Sequence, residues 1–168
     1  MSKPLGLAAD ETSVPFATTI LVRDCCLCLH AQRAARALAR RFDEALRPVG
    51  LTNGQFSLLM SLNRPEPPPM GPVADLLAMD RTTLTAALKP LQRRGLVLVL
   101  TDPKDRRSRR LSLTEEGRAL LARALPIWTS EHAAVEAMLP AGDAARLRAS
   151  LQAVAQEEST SGKHVRQR

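Results

Sequence analysis

The period of the apolar residues changes at Gly95, and this change constrains the fold more than any other feature of the chain. Arg81 to Arg94 reads as a helix, with Asp80 as its N-cap and Gly95 as its C′ stop. Pro90 lies inside it and is expected to kink it near Ala86, because proline removes one backbone hydrogen bond. Past Gly95, Leu96–Leu100 reads LVLVL, the strongest strand signal in the sequence. TDPKDRRSRR is then a turn with a charged tip, and Arg110 to Leu113 alternate polar and apolar as a returning strand does. Thr114 is the expected N-cap of a further helix, from Glu115 to about Met138, with a kink at Pro126.

Upstream, an Ala/Leu/Arg stretch from about Thr18 to Arg47 has helical spacing and ends at Pro48 and Gly50. Read as one helix it would be about 45 Å long, which suggests an element shared with a partner subunit. Thr52 is a good N-cap for a helix from Asn53 to about Asn63. RPEPPPMGP follows, with five prolines, and reads as a stiff, extended connector. A short helix, Pro72 to about Ala78, precedes the one opening at Arg81; two such helices joined by a tight turn make a helix-turn-helix. A last helix is expected from Pro140 to about Gln156. Its apolar stripe of Leu139, Leu147, Leu151 and Val154 asks for a covering partner. Residues 1–17 read as a loose arm and 157–168 as a disordered tail.

The chain has 168 residues, 45% hydrophobic and 24% charged, which excludes disorder throughout and provides for a core. Its aromatics are Phe16, Phe42, Phe56 and Trp128, with no Tyr, so base stacking on aromatic platforms is not expected. No apolar stretch is long enough for a membrane span, and the N-terminus has no signal-peptide pattern. With its cysteines confined to Cys25, Cys26 and Cys28, the chain is expected in a reducing cytoplasm.

The formal charge of +7 is unevenly placed. Residues 81–118 hold ten Lys/Arg against four acids, a net +6. Concentration on one helix and the hairpin after it is the footprint of a protein that binds the DNA backbone. Arg81, Thr82, Thr83 and Thr85 near the helix start suit a major groove, with Lys89 further along the same helix. The tip, with Lys104, Arg106, Arg107 and Arg109, is a basic wing of a length that suits an adjacent minor groove.

The run Met79–Gly117 resembles the recognition helix and wing of the MarR family of winged-helix regulators. Asp80-Arg81-Thr82-Thr83-Leu84-Thr85 matches that family's helix opening, and Arg94-Gly95-Leu96-Val97 its strand entry. Asp102, Asp105 and Arg107 match the wing, followed by Leu111–Gly117; Gly50–Gln55 matches the start of the preceding helix. The resemblance covers about residues 18–156. It departs at PEPPPMGPV, where the family has a shorter link with fewer prolines.

The resemblance implies a mainly α fold with a small β-wing. A winged helix-turn-helix lobe at 49–114 would join a helical dimerisation region formed by 18–48 and 115–156. It implies a homodimer on double-stranded DNA, at a pseudo-palindromic operator, with lobes about 34–36 Å apart. It also implies that Arg107 enters the minor groove and that Asp105 holds the wing. The leading reading is a transcriptional regulator acting as a repressor; an enzyme is not expected, since the chain has no Gly-rich phosphate loop, no HExxH and no Ser/His/Asp grouping.

The family responds to phenolic ligands, oxidants or metals, and the candidate switch is Cys25, Cys26, Cys28 and His30. On one continuous helix Cys25 and Cys28 would lie about 60° apart on one face, with Cys26 directed elsewhere. Cys25 and Cys28 could then share a thiophilic metal or metalloid ion with another group. Cys26-Leu27-Cys28-Leu29-His30-Ala31 is similar to the sensing stretch of the OhrR branch, which puts Cys26 at the reactive position. That branch pairs its cysteine with tyrosines, which this chain lacks. Packing, thiol sensing and metal binding therefore all stay open at this point. Two further alternatives are a thiol-dependent enzyme using Cys26 and His30, and a nonspecific nucleoid-type DNA-binding protein. Trp128 and Met138 read as core or pocket lining; His132 and His164 carry no assigned role.

Overall fold

The structure is a computed structural model, which describes the backbone of residues 13–165 and the side chains of 13–155. Most of the expected arm lies outside the described residues, as do the last three residues of the expected tail. Seven α-helices and two strands follow one another among the described residues. They are α1 (Phe16–Cys25), α2 (Leu27–Leu46), α3 (Asn53–Leu62), α4 (Met70–Leu76), α5 (Arg81–Arg93), β1 (Val97–Thr101), β2 (Arg109–Leu113), α6 (Glu115–Glu136) and α7 (Asp143–Val165). A boundary between two compact units falls within α2, between Ala39 and Arg40.

The larger unit is built around α3. A capping box starts this helix: the Gln55 amide donates to Thr52 Oγ1, and the Thr52 amide donates to the Gln55 side chain. Phe56, Leu58, Leu59 and Leu62 are all buried, so α3 needs cover on most sides. The one buried polar side chain on it, Ser61, returns its hydroxyl to the Leu58 carbonyl at 2.7 Å. Cover comes from Leu84, Leu88 and Leu91, at i, i+4 and i+7 on α5. More comes from Val73 and Ala74 on α4, Leu120, Leu121 and Ala124 on α6, and the inner face of the β-hairpin.

The hairpin pairs antiparallel, Val97 opposite Leu113 and Thr101 opposite Arg109. Along β2, Leu111 and Leu113 are buried and Ser112 between them is half-buried, the alternation a one-sided sheet requires. The proline-rich connector is indeed extended, with Pro69 at φ −65° and ψ 156°. It also lies along the free edge of β2, pairing Pro69 with Arg110. Between α4 and α5 the turn puts Ala78 at φ 50°, a left-handed conformation held by the Met79 amide bonding to the Ala74 carbonyl at 2.9 Å.

Two sequence expectations are corrected. The long first helix is interrupted at Cys26, whose ψ of 106° is extended. The chain from Thr18 to Val22 holds four β-branched residues, weak helix formers, and the Cys26 sulfur offers the Leu29 amide an acceptor at 3.4 Å. The apolar spacing carries across the break because the Cys26 amide still bonds to Val22 and the His30 amide to Cys26. The last helix begins at Asp143 rather than Pro140, and its backbone is described as far as Val165.

Gly117, in the first turn of α6, packs directly on the strand entry. A Cβ there would come within 2.2 Å of the Leu96 carbonyl oxygen, which already accepts the Thr114 amide. Gly54, on the exposed side of α3, has nothing within 4 Å of such a Cβ. Gly117→Ala is therefore expected to destabilise the fold by about 1–3 kcal/mol through overpacking. Gly54→Ala should stabilise it by about 0.5–1 kcal/mol through helix entropy. Urea unfolding midpoints of the two variants check both signs.

Candidate nucleic-acid interface

Helix α5 begins where Asp80 accepts twice from Thr83, from the amide and the hydroxyl, each at 2.8 Å. The amide first and the hydroxyl second hold the Asp80 carboxyl below its ordinary pKa. With Leu84, Leu88 and Leu91 turned into the core, Arg81, Thr82, Thr85, Ala86 and Lys89 form one exposed stripe. Thr83 is exposed too, but its hydroxyl is committed to the cap. The Thr85 hydroxyl donates to the Arg81 carbonyl at 2.7 Å, which leaves an acceptor oxygen and a methyl facing outward. No side-chain hydrogen bond holds Thr82 among the described residues.

The wing after β1 is shaped by two aspartates. Asp102 accepts the Lys104 amide at 2.9 Å, and Asp105 accepts the Arg107 amide at 2.9 Å. The Ser108 amide closes the tip onto the Asp105 carbonyl, and the Asp102 amide donates to the Ser108 carbonyl. Asp105 thus sits in the tip turn, with Lys104, Arg106, Arg107 and Arg109 exposed around it. Arg109 also curls back to the Arg106 carbonyl.

Two arginines of the +6 segment are structural ties. Arg94 donates to the Gly50 carbonyl at 2.8 Å, fastening the end of α5 to the approach of α3. Arg110 turns inward to Asp102, at 2.7 Å. Both belong to the formal +6 of this segment, and their partners, 44 and 8 residues away, are brought to them only by the fold. Asp102 is buried, and its carboxyl is held below the ordinary range by the Lys104 amide first and by the Arg110 guanidinium next.

The cysteines lie far from the wing in sequence. Cys25 ends α1 and is exposed, Cys28 is exposed in α2, and Cys26 between them is half-buried. All three thiols are free. The break at Cys26 lies between Cys25 and Cys28, so Cys25 belongs to α1 and Cys28 to α2. Cys28 accepts from Gln32 at 3.3 Å, and the His30 ring lies 3.2 Å from the Asp24 carbonyl. Among the described residues, no three His, Cys, Asp or Glu side chains converge as metal ligands do.

An apolar cavity of about 340 Å³ opens beside α3, lined by Phe56, Met60, Leu76, Leu77 and Trp128, with Ser57 and Ser61 as its polar groups. Trp128 stacks on Phe56 at 6.0 Å and on His132 at 4.7 Å. Trp128 therefore lines a pocket as expected, whereas Met138 is exposed and its sulfur accepts from Arg41 at 3.0 Å. His132, which the sequence left without a role, joins Glu136, itself paired with Arg148.

A helix-turn-helix followed by a two-stranded hairpin and backed by further helices defines a winged-helix protein. The MarR family model matches residues 51–108, the stretch from the start of α3 through the wing. Over 89 residues the chain is 34% identical to the transcriptional activatory protein BadR of Rhodopseudomonas palustris. That match takes in 51% of this chain and 51% of BadR, so the chain spans about half the length of that relative. The solved structure of the transcriptional regulator MosR of M. tuberculosis in complex with DNA matches with a TM-score of 0.73 and 39% identity. It covers 80% of this chain and 97% of MosR. CouR of Rhodococcus jostii, bound to p-coumaroyl-CoA, matches with a TM-score of 0.69 and 26% identity, over 79% of this chain and 93% of CouR. The chain belongs to the MarR family.

The lowered carboxyls predict an acid limit. Each of Asp80 and Asp102 binds its proton less readily folded than unfolded. Its stabilising contribution is therefore complete above the ordinary Asp pKa of about 3.9 and is lost as pH falls through the lower folded value. In urea unfolding, the gap between the wild type and Asp102→Asn or Asp80→Ala should be constant from about pH 7 to 5 and should narrow below about pH 4.

Proposed function

We propose that the protein is a dimeric, sequence-specific DNA-binding transcriptional regulator, acting as a repressor on a pseudo-palindromic operator in the cytoplasm. The observation that carries this reading is the exposed stripe of Arg81, Thr82, Thr85 and Lys89, together with the wing whose Lys104, Arg106, Arg107 and Arg109 are all exposed. A helix presenting threonines and a basic N-terminal residue suits base edges and phosphates in a major groove, and a basic tip suits the minor groove beside it. MosR, which shares 39% of its matched residues with this chain, is described bound to DNA. Among the described residues no helix is long and apolar enough to cross a membrane.

Dimerisation through the first and last helices is supported by apolar side chains the described chain leaves exposed. Leu147, Leu151 and Val154 do so on α7, and Phe16, Leu21 and Val22 on α1. Release from DNA is assigned to the thiols of Cys25, Cys26 and Cys28, which are free and at least partly accessible. A metal or metalloid ion at Cys25 and Cys28 would take a further ligand from another group, such as His30 or a second copy of the chain. A second reading places a small apolar effector in the cavity beside α3, favoured by its volume and its Trp128 wall. A thiol-dependent enzyme is less well supported: the His30 ring is engaged at the Asp24 carbonyl instead of at Cys26.

Gel shifts on the DNA upstream of the protein's own gene test the function. Specific, salt-sensitive binding is expected, and Arg107→Ala should lower the slope of log affinity against log salt by about one. Equal affinity for random duplex would point to a nucleoid-type protein instead, and no salt-sensitive binding would end the proposal. The effector is tested by the same assay on single Cys→Ser variants with reductant, organic peroxide, trivalent arsenic or zinc. At least one variant should lose the response. If every variant responds like the wild type, the thiols only pack and the cavity becomes the effector site. Light scattering should give a mass near twice 18.3 kDa.

A further inference from the structure

The proline-rich connector is the part of the sequence that departs most from the family pattern, and the DNA-binding reading leaves it without a purpose. In the structure it is a strap across the wing. The Leu111 amide donates to the Pro68 carbonyl at 2.9 Å, and Pro69 pairs with Arg110. Prolines at 65, 67, 68 and 69 have no N–H, so the strap offers β2 carbonyls and few donors. Their fixed φ sets those carbonyls in place before anything binds them.

Arg110 reads both sides of this junction at once. Its Nε donates to Asp102 Oδ2 at 2.7 Å, and its Nη1 donates to the Pro67 carbonyl at 3.0 Å. The planar fork of a guanidinium can hold two acceptors in different directions, where a single ammonium meets them as a point charge. Asp102 is the residue where the chain leaves β1 for the tip, and its second oxygen holds the Lys104 amide. Strap, strand and wing base therefore meet on one side chain. Its neighbours Arg106, Arg107 and Arg109 are exposed, whereas the Arg110 side chain retains about a quarter of its exposure and that of Asp102 8%.

We propose that Arg110 is a positioning residue that clamps the wing to the proline strap through Asp102 and the Pro67 carbonyl, and so presents Arg107 to DNA in a fixed orientation. Arg110 does not itself contact DNA. The proposal rests on the DNA-binding reading for its consequence but not for its geometry, so the two can be tested apart.

The first measurement needs no DNA. Amide hydrogen exchange in Arg110→Met is expected to quicken at residues 104–108 of the tip while that of α5 is unchanged. Unchanged exchange in the tip would overturn the clamp, whether or not the protein binds DNA. The second is a double-mutant cycle on duplex affinity with Arg107→Ala, Arg110→Met and the pair. Each single change is expected to cost about tenfold, and the pair little more than either alone, because an unclamped wing no longer presents Arg107. If Arg107→Ala costs its full factor in the Arg110→Met background, Arg110 acts on its own and the proposal fails. Arg110→Lys guards against loss of fold. It keeps the charge but not the fork, so it is expected to behave as Arg110→Met does. Recovery of wild-type affinity by Lys would mark Arg110 as a phosphate contact instead.

Discussion

Helix α3 buries most of its circumference and leaves only Gly54 and Met60 open to water. Phe56, Leu58, Leu59 and Leu62 are buried around it, and burying each such side chain is worth about 2 kcal/mol. A helix that is apolar on most sides has to be enclosed, and α4, α5, α6 and the β-hairpin supply the enclosure. The Leu84–Leu88–Leu91 face of α5 is turned inward to this core, which leaves the polar face with Arg81, Thr82, Thr85 and Lys89 outward. The presentation of the candidate DNA-reading side chains is thus the reverse side of a core-packing requirement. A substitution that loosens the core would tilt the reading face without touching it.

The same economy governs the wing. A two-stranded hairpin has little stability by itself. Here its inner face, Val97, Leu111 and Leu113, is part of the common core, and the outer edge of β2 is closed by the proline strap. The close approach of Gly117 to Leu96 fastens the far end, where the Thr114 hydroxyl also bonds to the Gly95 carbonyl. Anchored at both ends, the hairpin can carry a tip in which four basic residues lie exposed within six positions. Their mutual repulsion is eased by the two aspartates that shape the turn, Asp102 at the base and Asp105 in the tip.

Charge alone is a poor guide to which of these residues face a ligand. The segment from Arg81 to Arg118 carries the net excess of the chain, and that concentration was readable from the sequence. Arg94 and Arg110 belong to the excess but are occupied with a carbonyl and a carboxylate of the fold. Capping was readable because it is local. Thr52, Asp80 and Thr114 were each placed by the residues within three positions of them, and each makes its expected bond. The interruption at Cys26 was not readable, since it breaks no periodicity and involves neither glycine nor proline.

What the sequence determined by itself was therefore most of what neighbours along the chain set, the break at Cys26 excepted. That includes the helix starts, the switch to alternating residues after Gly95, the stiffness of the proline run and the address of the positive charge. Tertiary structure decided the pairings between distant positions. Examples are the strap that lies along β2, the guanidinium shared between Asp102 and Pro67, the tie from Arg94 to Gly50, and the stack of Phe56, Trp128 and His132 beside the cavity. The physical reason is range. Propensity, capping and periodicity act over a few residues, while an ion pair or a stacked ring depends on which surfaces the burial of α3 brings into contact.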